Sequence, residues 1–164
     1  MGSDEIKTPR ELEAFLRFIE AEGYPIDPES IQKLRGESQP DFSCRTFAGE
    51  HFAFEVTALS DTAVAKMIAR APKESAGAIW PGDPTARILR NKMQKTYQTD
   101  LPVELLCYWD ARTVSTDDMI IATIEEIASG VSNPFRRVWY LGEEGVYLLC
   151  GDARHPTRHF ANWT

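Results

Sequence analysis

Two extended apolar runs, Phe42–Phe47 and Phe52–Ala58, flank Ala48-Gly49-Glu50, and this hairpin constrains the fold more than any other feature of the chain. Strand side chains alternate, so Phe52, Phe54 and Val56 share one face while Ala53, Glu55 and Thr57 share the other. Glu55 therefore interrupts a strand that otherwise asks for burial, and a buried carboxylate needs a partner. Pro40-Asp41 stands at the open end of the same hairpin, where Asp41 can come level with Glu55. Two carboxylates held a few ångströms apart repel each other, and a divalent cation makes such a pair tolerable. Hard oxygen ligands completed by water favour Mg²⁺ or Mn²⁺ over zinc.

The remaining chain reads as helices and strands in alternation. Leu12, Phe15, Leu16 and Ile19 repeat at helical spacing over 9–22, with Thr8-Pro9 as the expected start and Gly23 as the stop. One short helix is expected over 29–34. Helices are also expected over 62–70, over 85–98, and after Thr116, where Ile120, Ile124 and Ile127 share a side. Val103–Trp109 is an apolar strand suited to cover on both faces. Arg137–Leu141 and Val146–Cys150 form a closing hairpin across Gly142-Glu143-Glu144-Gly145, and the chain from 151 onward reads as a polar tail. Such mixing predicts an α/β sandwich built on a mixed sheet, in one domain over 1–164.

At Gln39-Pro40-Asp41-Phe42 and Phe54-Glu55-Val56-Thr57 the chain resembles the PD-(D/E)XK nuclease superfamily, in which Pro-Asp, a hairpin, and an acid two residues before a lysine mark the site. The likeness continues through Lys92-Met93-Gln94-Lys95-Thr96-Tyr97, the strand over 102–109, and the closing strands around Pro134–Trp139 and Gly145–Leu148. It implies a three-layer restriction endonuclease-like sandwich, a central mixed sheet flanked by helices. It also implies a metal-dependent nuclease hydrolysing phosphodiester bonds in DNA or RNA. The alternative is a catalytically inactive interaction module on the same fold. Asp41, Glu55 and the Val56 carbonyl would bind Mg²⁺ or Mn²⁺. Thr57 stands where the signature lysine belongs, so Lys92 or Lys95, three apart on one helix side, would supply the cation from the following helix.

The net charge of −7 weighs against a broad nucleic-acid surface, because phosphate affinity comes from Lys and Arg. A short basic lining from Arg45, Arg87, Arg90, Lys92 and Lys95 would serve a narrow site, with nucleic acid as the expected partner. A homodimer would suit cleavage of two strands. No apolar run reaches the length of a bilayer span, and the three cysteines, Cys44, Cys107 and Cys150, each fall in an expected strand. The expectation is a cytoplasmic protein with free thiols, no membrane partner and no zinc site in the Cys150–His159 segment, which lacks paired Cys-x-x-Cys spacing.

Overall fold

The computed structural model describes residues 3–60, 84–110, 115–130, 133–151 and 158–161. The helix expected over 62–70 lies outside the described residues. In chain order the elements are α1 (Ser3–Glu22), a 3-10 turn (Pro28–Ser30), β1 (Gln32–Lys33), β2 (Phe42–Arg45) and β3 (His51–Ala58). Then come α2 (Thr85–Met93), β4 (Val103–Tyr108), α3 (Asp117–Gly130), β5 (Val138–Leu141), β6 (Gly145–Cys150) and β7 (Arg158–Ala161). The described strands form one mixed sheet in chain order, β1 through β7. Pairs β3–β4 and β4–β5 are parallel and the other pairs antiparallel. The expected mixed α/β class is the class observed.

Helices cover both faces. On one, Phe15 and Phe18 of α1 pack with Phe42, Phe54, Trp139 and Leu148. The rings of Phe15 and Phe42 stack at 5.4 Å between centroids. On the other, Leu89 and Met93 of α2 and Ile120, Ile124 and Ile127 of α3 pack against Ala53, Leu105, Cys107 and Tyr140. Each large apolar side chain so buried contributes about 1.5–3 kcal/mol. Alternation places Phe54 and Val56 toward α1 and Ala53 toward α2 and α3, as their spacing predicts.

Several boundaries differ from expectation for identifiable reasons. Helix α1 begins at Ser3 and runs through Pro9 instead of starting there. Its buried stripe is Glu11, Ala14, Phe15 and Phe18, while Leu16 is 44% exposed. An apolar count excludes Glu11 from such a stripe, but Lys33 Nζ lies 3.9 Å from its carboxylate. Residues 28–30 form only the 3-10 turn, and β1 occupies part of the span expected to be helical.

Helix α2 stops at Met93, short of the expected 98. Beyond it the Gln98 amide donates to the Ser38 carbonyl at 2.7 Å, and Gln39 Nε2 donates to the Gln98 carbonyl at 2.6 Å. Those long-range bonds hold Gln98 away from a helical continuation, so Lys95 lies past the helix and not on its face. The expected tail is also corrected, since β7 pairs with β6 over Gly145↔Ala161 to Leu148↔Arg158.

Candidate functional site

The register of the β2–β3 hairpin builds the site. Phe42 faces Phe54, so continuing the antiparallel count by one places Asp41 directly opposite Glu55. Asp41 precedes the paired strand, and its side chain takes over the ladder: the Val56 amide donates to Asp41 Oδ2 at 2.8 Å. The two carboxyl groups lie close enough to shift each other's ionisation. Expectation and geometry agree that the hairpin brings these acids together.

Glu55 is 2% exposed and collects three donors on Oε2. Lys92 Nζ donates at 3.0 Å, Lys95 Nζ at 3.4 Å and the Tyr97 hydroxyl at 2.8 Å. Lys92 comes from the last turn of α2 and Lys95 and Tyr97 from the irregular segment after it. Both lysines named from the sequence therefore reach the pair, and Lys92 makes the closer approach. Thr57, in the position of the signature lysine, is buried and donates to the Ala58 carbonyl at 3.5 Å. Arg45, Arg87 and Arg90 of the expected basic lining are exposed.

Three further residues belong to the site and were not singled out from the sequence for any role in it. Lys33 Nζ donates to Asp41 Oδ1 at 3.1 Å and sits 5.1 Å from the centre of the Phe42 ring. Its only sequence context is a polar stretch between prolines, which carries no periodic signal. Glu11 reaches the same lysine from α1, and its signal was an acid four residues before Phe15 on the buried stripe. Tyr97 falls within the lysine-containing run, but nothing in its spacing assigns its hydroxyl a partner.

The acids respond in opposite directions. Burial, then the charge of Glu55, push Asp41 above the usual carboxylate range. Burial also pushes Glu55 upward, but the Lys92 charge and the hydrogen bonds from Asp41, Lys92 and Tyr97 outweigh it, so Glu55 lies below its ordinary value. Asp41 is accordingly the more readily protonated of the two and Glu55 the more readily ionised. Burial and the Glu55 charge also raise the Tyr97 phenol, which keeps it a donor.

A second cluster, which the sequence reading did not identify, lies on the α1 face at the start of β4. Glu104 is fully buried, and Trp139 Nε1 donates to its Oε1 at 2.7 Å. Its Oε2 accepts from Tyr24 at 3.0 Å, Arg136 Nη2 at 2.6 Å and Arg137 Nη1 at 2.6 Å. Arg136 continues to Glu50 at 2.6 Å. Every oxygen of this carboxylate is engaged in tying β4 to β5, to the residues before β5 and to Tyr24 after α1, which is a structural task.

Among the described residues, no group of three or more His, Cys, Asp or Glu side chains is placed to hold a metal. An ion at Asp41 and Glu55 would need a backbone carbonyl and water to complete its shell. The donor set suits a hard ion that keeps much of its hydration. No described helix is long and apolar enough to cross a membrane. Cys44, Cys107 and Cys150 carry free thiols in β2, β4 and β6.

No family model matches the chain, and no curated protein matches it. Among solved structures, a protein of unknown function from Pseudomonas aeruginosa strain PAO1, Monooxygenase Superfamily, is similar over 92% of this chain and 76% of its own, with 18% identity and a TM-score of 0.43. The nuclease expectation is corrected accordingly: no family model, PD-(D/E)XK or other, matches the chain. The nuclease assignment is withdrawn, with phosphodiester hydrolysis, the restriction endonuclease-like label and the nuclease-derived interaction module that rested on it. The physical reason is that the motifs carrying the resemblance are short and lack the signature lysine, with Thr57 in its place. A likeness of this depth lends the neighbour's own description no weight for this chain. The conclusion that stands is a mixed α/β fold holding a buried Glu55 and a half-buried Asp41 flanked by lysines.

Proposed function

We propose that the Asp41–Glu55 pair is a divalent-cation site for Mg²⁺ or Mn²⁺, with the Val56 carbonyl as a third oxygen donor. The observation that carries this reading is the hairpin register, which sets two carboxyl groups opposite each other. Without an ion, the Lys33, Lys92 and Lys95 ammonium groups offset the charge. A divalent cation would compete with those lysines for the carboxylates. When bound, such an ion polarises an oxygen ligand and makes a coordinated water more acidic. Lys92 and Lys95 would then hold positive charge beside the pair, where an anionic group approaching it would be steadied.

Calorimetric titration with Mn²⁺ tests this reading, run in two buffers of different ionisation enthalpy. Saturable binding with release of about one proton is expected, because the ligands must be deprotonated. Binding should disappear in the Asp41→Ala/Glu55→Ala double variant and on chelation with EDTA. Absence of binding by the folded wild type, or equal binding by the double variant, would sink the proposal.

A further inference from the structure

Three lysines face the carboxylate pair, and they hold its two members in different ways. Lys92 and Lys95 both donate to Glu55 Oε2, which also takes the Tyr97 hydroxyl. Among the described residues the ion pairs of these two lysines run to Glu55 alone. Both of them sit on the same oxygen, so they leave Glu55 Oε1 for another cation.

Asp41 is engaged at both oxygens. The Val56 amide donates to Oδ2 at 2.8 Å, and Lys33 Nζ donates to Oδ1 at 3.1 Å. The amide belongs to the main chain of β3 and cannot leave without deforming the strand. The ammonium stands at the end of a flexible four-carbon stem. Lys33 is therefore the donor that gives way when a cation takes Asp41.

Lys33 is also placed to move without being stranded. Its main chain is fixed, because Lys33 pairs with Phe42 across β1 and β2 and the Leu34 amide donates to the Asp41 carbonyl at 2.9 Å. Its ammonium has two further partners within a short swing. Glu11 Oε2, reaching in from α1, lies 3.9 Å away, and the centre of the Phe42 ring lies 5.1 Å away. An ammonium leaving Asp41 keeps a second carboxylate and an aromatic face.

We propose that Lys33 is the resident counterion of this site, the cation that a divalent ion displaces from Asp41 Oδ1, and that it sets how tightly such an ion is held. This role rests on the cation reading and deepens it. Lys33 competes for a ligand oxygen and repels the entering ion, and both effects lower affinity. A Lys33 that served only to bridge α1 and β2 would act in the opposite direction, since its loss would loosen Asp41 and weaken the site.

Mn²⁺ titration followed by the EPR signal of the free ion tests the role on wild type, Lys33→Met and Lys33→Arg. Lys33→Met should bind Mn²⁺ about tenfold more tightly, the release of one charge-assisted contact. Lys33→Arg keeps the charge and should stay within about threefold of wild type. A second measurement uses the unaltered chain, in case the methionine variant folds poorly. Acetylation of Lys33 by a small activated ester, read by mass spectrometry, should rise on saturation with Mg²⁺, while Lys92 changes less. Given saturable binding by wild type, unchanged or weaker binding in Lys33→Met would overturn the role of Lys33 and leave the cation site standing. Lys33 labelling unmoved by saturating Mg²⁺ would do the same. Mn²⁺ binding by neither wild type nor Lys33→Met would remove the cation site and this role with it.

Discussion

Asp41 and Glu55 carry the same functional group in adjacent positions, and their surroundings drive them apart. Asp41 is raised by burial and by its neighbour's charge, whereas for Glu55 Lys92 overcomes the effect of burial. The stability consequences have opposite signs. Asp41 keeps its proton in the folded state to higher pH than in the unfolded chain, so its contribution is lost as pH rises through that interval. Glu55 contributes stability above the ordinary carboxylate range and loses it as pH falls. Through Asp41 the wild type should therefore lose stability as pH rises above the ordinary carboxylate value. Asp41→Asn cannot ionise: its oxygen can keep the Val56 amide and its NH2 can donate to Glu55, but that NH2 replaces the oxygen that accepts from Lys33. It should flatten this pH dependence in urea unfolding. A variant with the wild-type pH dependence would mean that another group is responsible.

At the scale of elements, Asp117 joins the start of α3 to the β5–β6 hairpin. Its Oδ1 accepts from the Tyr140 hydroxyl at 2.7 Å and the Glu143 amide at 3.1 Å, and its Oδ2 from the Glu144 amide at 2.9 Å. The turn was legible from Gly142-Glu143-Glu144-Gly145, but its anchor on a distant aspartate was not. Gly142 permits that approach, because a Cβ there would meet Asp117 Oδ2 at 2.6 Å. Gly142→Ala should cost about 1–3 kcal/mol by overpacking. For a chain of this size that is a fall in Tm of about 3–10 °C, readable by calorimetry. An unchanged Tm would show that the hairpin moves away from α3 at no cost. The same dependence on distant partners ended α2 early: residues 94–98 have helical composition, yet Ser38 and Gln39 hold Gln98.

Across the whole molecule, the Glu104 cluster ties β4, β5 and the segment after α1 on one face of the sheet. Burial and then the nearby Glu104 charge raise the Tyr24 phenol, which stays protonated as a donor. Arg137 is 5% exposed, and its Nε has no hydrogen-bond partner among the described residues. Glu104→Leu would leave that guanidinium buried without its counterion. Breaking a buried pair from one side costs about 3–5 kcal/mol, and urea denaturation should record that loss. A loss below about 1 kcal/mol would mean that the arginines reach solvent or another acid instead. The buried ion pair is also why β4 did not read as charged: Glu104 sits in an apolar run, Val103–Tyr108, all of it buried.

The sequence by itself determined the elements whose signal is local. Alternation in 52–58 assigned faces to Glu55 and its neighbours, isoleucine spacing assigned α3, and Gly/Glu turns assigned both hairpins. It also brought Asp41 and Glu55 together, because a hairpin fixes its own register within a few residues. Only the tertiary structure decided what surrounds them. Lys33 comes from a two-residue edge strand, Glu11 from a helix on the far side in sequence, and Tyr97 from a segment pulled out of helical form by Ser38 and Gln39. Long-range electrostatics and hydrogen bonds have no sequence period, so partners such as Arg137 and Glu104 emerge only when strands distant in the chain lie side by side.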